Sequence, residues 1–229
     1  LGADSLVLGA ALSTSTIYGE SASDTEGGAD SISIAGLVSG SYVYGNVGND
    51  RVSLATGLVA SSMYGGTGND SVWVVDGAST ASLIDGGVGN DFLSLGALSG
   101  TSSLLGASGA DTLLVAGSST QWYADGGEGD DSLSIAGANQ RTTVLGGVGN
   151  DTINLGSMSR SSLSAGADND QVVVATGAIS STLRGGTGND LMSISGGITD
   201  GSLFGGTGND SFNFTGSRAT GQIDTGAGV

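Results

Sequence analysis

Gly205 to Asn213 reads G-G-T-G-N-D-S-F-N, and its first six residues return along the whole chain. G-N-V-G-N-D ends at Asp50, G-G-T-G-N-D at Asp70 and G-G-V-G-N-D at Asp91. G-A-S-G-A-D follows, ending at Asp111, then G-G-E-G-D-D at Asp131 and G-G-V-G-N-D at Asp151. After a degraded A-G-A-D-N-D ending at Asp170, G-G-T-G-N-D closes at Asp190 and again at Asp210, and truncated copies end in Asp4 and Asp30. The closing aspartates recur about every twenty residues, except for the step of 26 from Asp4 to Asp30. Repetition at this period is the mark of a solenoid, in which each repeat is one turn of a coil.

After each closing Asp the apolar residues alternate, as in Val52 and Leu54, Val72 and Val74, Leu133 and Ile135, or Phe212 and Phe214. That is a short strand with one buried face. A glycine corner follows (Gly57, Gly117, Gly137, Gly177), then a Ser/Thr-rich stretch with one apolar residue two positions before the next hexad, such as Met63, Ile84 or Leu203. The expected fold is therefore all-β: a parallel β-solenoid, β-roll-like, with two short strands and two corners per rung, forming one array over residues 1–229. Rungs stacked ~4.8 Å apart pair every strand with its neighbours, and roughly eleven would make a flat rod about 50 Å long. The complete absence of proline fits, because a stacked strand cannot lose an N–H from the ladder. Residues 19–27 read as a surface insertion between two rungs. With no polar cap at either end, the chain reads as a segment of a longer array or of an end-to-end assembly.

The chain has 229 residues, 45 of them Gly, no Cys and no His, and a net charge of −17. Such acidity disfavours nucleic acid and anionic membranes and favours cations. No apolar run is long enough to span a bilayer. Without His or Cys there is no usual general base, thiol nucleophile or zinc ligand, so the chain reads as a non-enzyme.

Stacking sets the closing aspartates Asp4, Asp30, Asp50, Asp70, Asp91, Asp111, Asp131, Asp151, Asp170, Asp190 and Asp210 in one row. Carboxylates ~4.8 Å apart repel by about 1 kcal/mol in water and about 3.5 kcal/mol at an effective dielectric of 20, so the row opposes folding unless cations neutralise it. Oxygen-only donors select a hard cation, and a flexible cage of carbonyls and carboxylates suits Ca²⁺ better than Mg²⁺. One calcium is expected between each pair of successive hexads. Besides the aspartates, the candidate carbonyl donors are Gly45, Asn46, Val47 and Gly48; Gly65, Gly66, Thr67 and Gly68; and Gly86, Gly87, Val88 and Gly89. They continue with Gly106, Ala107, Ser108 and Gly109; Gly126, Gly127, Glu128 and Gly129; and Gly146, Gly147, Val148 and Gly149. The last are Ala165, Gly166, Ala167 and Asp168; Gly185, Gly186, Thr187 and Gly188; and Gly205, Gly206, Thr207 and Gly208. The side chains of Asp76, Asp85, Asp125, Glu128 and Asp200 read as solvated surface.

The string from Gly205 to Asn213 resembles the nonapeptide G-G-x-G-x-D-x-U-x (U a large apolar residue) of the RTX, or haemolysin-type, calcium-binding repeats. The resemblance implies that the first and third carbonyls plus the Asp of one loop face the second and fourth carbonyls plus the Asp of another. Gly65, Thr67 and Asp70 would then meet Gly87, Gly89 and Asp91 around one ion, or the same pairing would run in the opposite sense. Here alternate nonapeptides are replaced by Ser/Thr/Ala-rich segments, so calcium is expected on one edge only. That form is similar to rungs of calcium-dependent bacterial adhesins, surface-layer proteins and oscillin-like cyanobacterial fibrils. Asp168 in place of Gly and Ala110 in place of Asn depart from the pattern.

The resulting expectation is a secreted or cell-surface structural protein that self-assembles into a fibril or lattice, with cell-surface polysaccharide as a further partner. Two alternatives stand beside it: the non-catalytic repeat portion of a secreted enzyme or toxin, and an ice-binding adhesin module. The third hexad position, however, reads Val47, Thr67, Val88, Ser108, Glu128, Val148, Ala167, Thr187, Thr207, a broken threonine row. Trp73, Trp122, Tyr123, Tyr42 and Tyr44 could stack on sugars where exposed, and Ser61, Ser62, Ser102 and Ser103 could carry glycans or meet a neighbouring rod. For both sets, a structural place in the ladders is the simpler reading. The five arginines (Arg51, Arg141, Arg160, Arg184, Arg218) look too dispersed to form a patch.

Overall fold

Alternating apolar residues with no proline can bury one face only by stacking, and the chain does so. The computed structural model, which describes residues 2–19, 27–216 and 220–227, is a parallel β-solenoid. It makes about ten turns of ~20 residues. Each turn has a strand on a first face, such as Ser31–Ile34, a corner, and a strand on a second face that runs into the hexad, such as Tyr42–Val47. The corner carries a two-residue strand of its own, Val38–Ser39 or Leu58–Val59, where only a bend was expected. In four turns it is bridged by one continuous strand: Ser71–Thr80, Phe92–Ser99, Ser132–Gln140 and Thr152–Ser159.

Because the pairing is parallel and in register, like residues fall on like residues. Val52 lies between Ile32 and Val72, and Leu113 between Leu93 and Leu133. The core is thus a set of columns: one through Ile32, Val72 and Leu133, one through Ile34, Val74 and Ile135, and one from the second face through Val43, Met63 and Leu203. A fourth column, not evident from the alternation, fills the corner with Val38, Leu58, Leu98, Met158 and Ile198, interrupted by buried Ser79, Ser119 and Asn139.

The register survives the 26-residue step. The Gly19 N–H donates to the Tyr44 carbonyl at 2.8 Å and the Asp4 N–H to Asp30 Oδ1 at 2.8 Å, so the extra residues leave the path of the coil. Most of the expected insertion, residues 20–26, lies outside the described residues. Among the described residues, no helix is long and apolar enough to cross a membrane.

A cavity in a column is felt by two neighbouring rungs at once. Leu133→Ala, at a fully buried position, should cost about 2–5 kcal/mol in denaturant unfolding. Ser134→Ala on the outward face, half-exposed, should change stability by less than about 0.5 kcal/mol.

Candidate metal edge

The two edges of the coil solve the same problem with different chemistry. At each corner a backbone N–H faces along the stacking axis and needs an acceptor. On the second edge it is a hydroxyl: the Ser41 N–H donates to Ser61 Oγ at 3.2 Å, and that hydroxyl in turn donates to the Val59 carbonyl at 2.8 Å. Ser15, Ser82, Ser102, Thr142, Ser161 and Ser181 continue the column. On the hexad edge the acceptor is a carboxylate. The Asp50 N–H donates to Asp70 Oδ1 at 2.7 Å, Asp70 to Asp91 at 2.7 Å, Asp91 to Asp111 at 2.7 Å, and so on to Asp190 and Asp210 at 3.0 Å.

A serine at this place is satisfied by one acceptance and one donation. An aspartate is not: in Asp30, Asp70, Asp91, Asp111, Asp131, Asp151, Asp170, Asp190 and Asp210, Oδ2 is buried with no hydrogen-bond partner. The side chains from Asp30 to Asp190 are at most 3% exposed, whereas Asp4, which begins the row, is exposed. Burial, together with the charge of neighbouring aspartates, lifts Asp70, Asp91, Asp111, Asp131, Asp151, Asp170 and Asp190 above the carboxylate range. Asp70, Asp111, Asp151 and Asp170 rise to about 7, and Asp91 and Asp131 to about 6, while the backbone N–H that each accepts pulls the other way.

The hexad backbone supplies more oxygen. At the second and fourth positions φ is positive, as at Gly66 (119°) and Gly68 (123°), and even at Asn46 (80°), Ala107 (81°) and Asp168 (79°). This turns alternate carbonyls in opposite directions along the axis. A methyl placed on Gly87 would lie 2.1 Å from the Gly66 oxygen and one on Gly89 2.0 Å from the Gly68 oxygen, so these two carbonyls face the next rung. Looking back, the Gly86 oxygen would lie 2.3 Å from a methyl on Gly65, beside Asp70 Oδ2 at 2.6 Å, and the Val88 carbonyl accepts the Gly68 N–H at 2.7 Å. Across this gap Gly66, Gly68 and Asp70 face Gly86, Val88 and Asp91, which is the second of the two senses expected. Glycine leaves room for such approaches at the first hexad position, and the one departure among the full hexads is the small, buried Ala165.

Among the described residues, no three His, Cys, Asp or Glu side chains converge as a metal cluster. Any cation held here would rest on backbone carbonyls and on aspartates taken one or two at a time, a donor set that suits a hard ion.

Other sequence expectations resolve differently. Trp122 is buried, taking the serine place in the second-edge column, so it cannot stack on a sugar; Ser61 and Ser102 are buried in that column and cannot carry glycans. Trp73 sits on the first face beneath Arg51, 4.4 Å from guanidinium to ring, and Tyr18, Tyr44 and Tyr64 stack on one another at 5.1 and 4.9 Å. Asp85 is half-buried rather than solvated, with Oδ1 unpartnered and burial raising its pKa. The serine column was detectable in advance as a Ser or Thr nine residues before most closing aspartates, Ser61 before Asp70 and Ser102 before Asp111.

Fold and edge together define a parallel β-solenoid with a buried aspartate ladder. Set against models of known protein families, curated proteins and solved structures, the chain matches none.

With folded-state values of about 6 to 7 against ~3.9 in the unfolded chain, the metal-free folded protein binds more protons between roughly pH 4 and 7. Its stability is therefore present below about pH 4 and falls as pH rises through the folded values. Circular dichroism in chelator should show more β structure at pH 4.5 than at pH 7.5, the reverse of ordinary acid unfolding.

Proposed function

We propose that this chain is a structural rod of the cell surface or extracellular space, folded and stiffened by calcium in the manner of the RTX repeats it resembles. One observation carries the reading: a column of buried carboxylates, nine of which (Asp30, Asp70, Asp91, Asp111, Asp131, Asp151, Asp170, Asp190 and Asp210) hold an oxygen that no donor meets, beside a second edge where neutral hydroxyls do the same backbone work. At neutral pH only a cation compensates such a column, because a proton is held too weakly above about pH 7. Calcium between successive hexads would draw on Asp70, Asp91 and the carbonyls of Gly66, Gly68, Gly86 and Val88, with equivalent sets along the row. Extracellular calcium is abundant enough to fill weak sites, whose affinities in extracellular modules are about 10⁻⁴–10⁻³ M. In this reading the chain stays unfolded in a low-calcium compartment and winds up outside. Its work is mechanical: a rod presenting flat faces to other copies and to surface polysaccharide. The chain's lack of His and Cys supports a role without catalysis.

Because metal binding is folding free energy here, adding millimolar Ca²⁺ at pH 7.5 should convert a largely unfolded chain to β structure cooperatively. A circular dichroism spectrum at pH 7.5 that EDTA leaves unchanged would overturn the reading. Asp111→Asn keeps the Oδ1 acceptor for the Asp91 N–H but removes the charge. It should lower the calcium stoichiometry measured by equilibrium dialysis, whereas Ser102→Ala on the opposite edge should leave it unaltered.

A further inference from the structure

Residues far apart in sequence become neighbours when a coil closes, and this corrects the view that the arginines form no patch. Arg141 and Arg160 occupy the same corner place on successive rungs, the Arg141 N–H donating to the Ser159 carbonyl at 2.9 Å and the Arg160 N–H to the Ile179 carbonyl at 2.9 Å. Both are exposed, and both hold a left-handed backbone (φ 54° and 51°) at the tip of the serine edge. Bulky residues rarely adopt that conformation, and two like charges one rung apart repel each other. In a chain of net charge −17 they make a basic knob that pairs with no acid among the described residues. Beside it lies Ile179, 54% exposed.

The opposite edge at nearby rungs carries the complement. Glu128 stacks on Val148, and Val148 on Ala167, with Asp168 next to it. Asp130, one rung below Asn150, accepts that residue's N–H at 2.7 Å. All three acids are exposed, Glu128 and Asp130 on the rung before that of Arg141 and Asp168 on the rung of Arg160. Val148, 53% exposed, stands among them as Ile179 stands beside the arginines. Each edge thus combines one exposed aliphatic side chain with charges of one sign; Ile179 belongs to the rung after Arg160 and stands two rungs beyond Val148, so the two edges come into register when one rod is offset along its axis.

We propose that copies of this chain associate side by side, the serine edge of one rod docking on the aspartate edge of the next. With the neighbouring rod offset by one rung, Arg141 is level with Glu128 and Asp130, Arg160 lies between that pair and Asp168, and Ile179 is one rung from Val148, against which it packs. The two surfaces differ, so the contact is heterologous: simple translation repeats it, and the product is an open sheet of parallel rods rather than a closed dimer. The inference deepens the structural-rod reading and rests on it for the folded rod.

The test is sedimentation velocity at saturating calcium and low ionic strength, where complementary charge acts most strongly. The unaltered chain should grow from monomer to oligomers with concentration, and added salt should reverse this. Arg141→Glu with Arg160→Glu makes both edges acidic, and Glu128→Lys with Asp130→Lys makes both basic. Each double variant alone should associate at least about tenfold more weakly, the second despite its lower net charge. Mixing the two should restore association, because unlike edges face each other again. Self-association of either variant at the unaltered level, no gain on mixing, or a chain that is monomeric throughout would overturn the proposal. Calcium-induced circular dichroism, recorded on every variant, separates loss of the contact from loss of the fold. It also scores the rod reading independently of the lateral one.

Discussion

A carboxylate has two oxygens, and in this coil the backbone has work for only one of them. Oδ1 of each closing aspartate takes the N–H of the preceding rung at 2.7–3.0 Å, which sets the turn and locks the register. Oδ2 is then carried into the edge whatever its needs, beside the first glycine of its own hexad and the carbonyl of the next. Everything distinctive about the molecule follows from how that second oxygen is neutralised. A proton serves at low pH, and in the proposed reading a cation takes its place at neutral pH; with neither, about ten like charges line up inside the structure and oppose its formation.

The serine edge acts as an internal control. It has the same parallel stacking and the same forward-facing N–H, but its hydroxyl acceptor is neutral and donates its own proton to the carbonyl two residues back. Those hydroxyls carry no charge that needs an ion, so the proposed dependence on calcium would fall on one side of the rod. The two-edged design also explains where large residues are tolerated. Trp122 replaces a serine on the hydroxyl edge, whereas at the first hexad position a methyl on Gly65 would lie 2.3 Å from the Gly86 oxygen and 2.6 Å from Asp70 Oδ2, and nothing larger than Ala165 occurs there.

A solenoid couples its rungs only to their neighbours, so stability is distributed along the row and lost in the same way. Neutralising one gap would support the rung on either side, so in the proposed reading ion binding and winding are a single cooperative event. The outcome is a rod of flat sheet faces. Its interactions fall to the side-chain columns on its surface, where like residues stack on like and small differences between rungs give each height its own chemistry. The basic knob of Arg141 and Arg160 and the acids around Val148 are such differences. They give the two edges of a repetitive coil opposite charge at particular rungs.

The amino-acid sequence by itself determined the rung length, the parallel stacking, the alternation that builds the first-face columns and the identity of the aspartate row. All of these are periodic, and a period is visible without coordinates. Tertiary structure alone decided what depends on which residues meet across rungs. The corner column through Leu58 and Leu98, the burial of Ser61 and Trp122, and the direction in which Gly66 and Gly86 aim their carbonyls arise from closure of the coil. The arginine pair was hidden for the same reason: Arg141 and Arg160 are 19 residues apart in the chain, and only winding brings them to adjacent rungs.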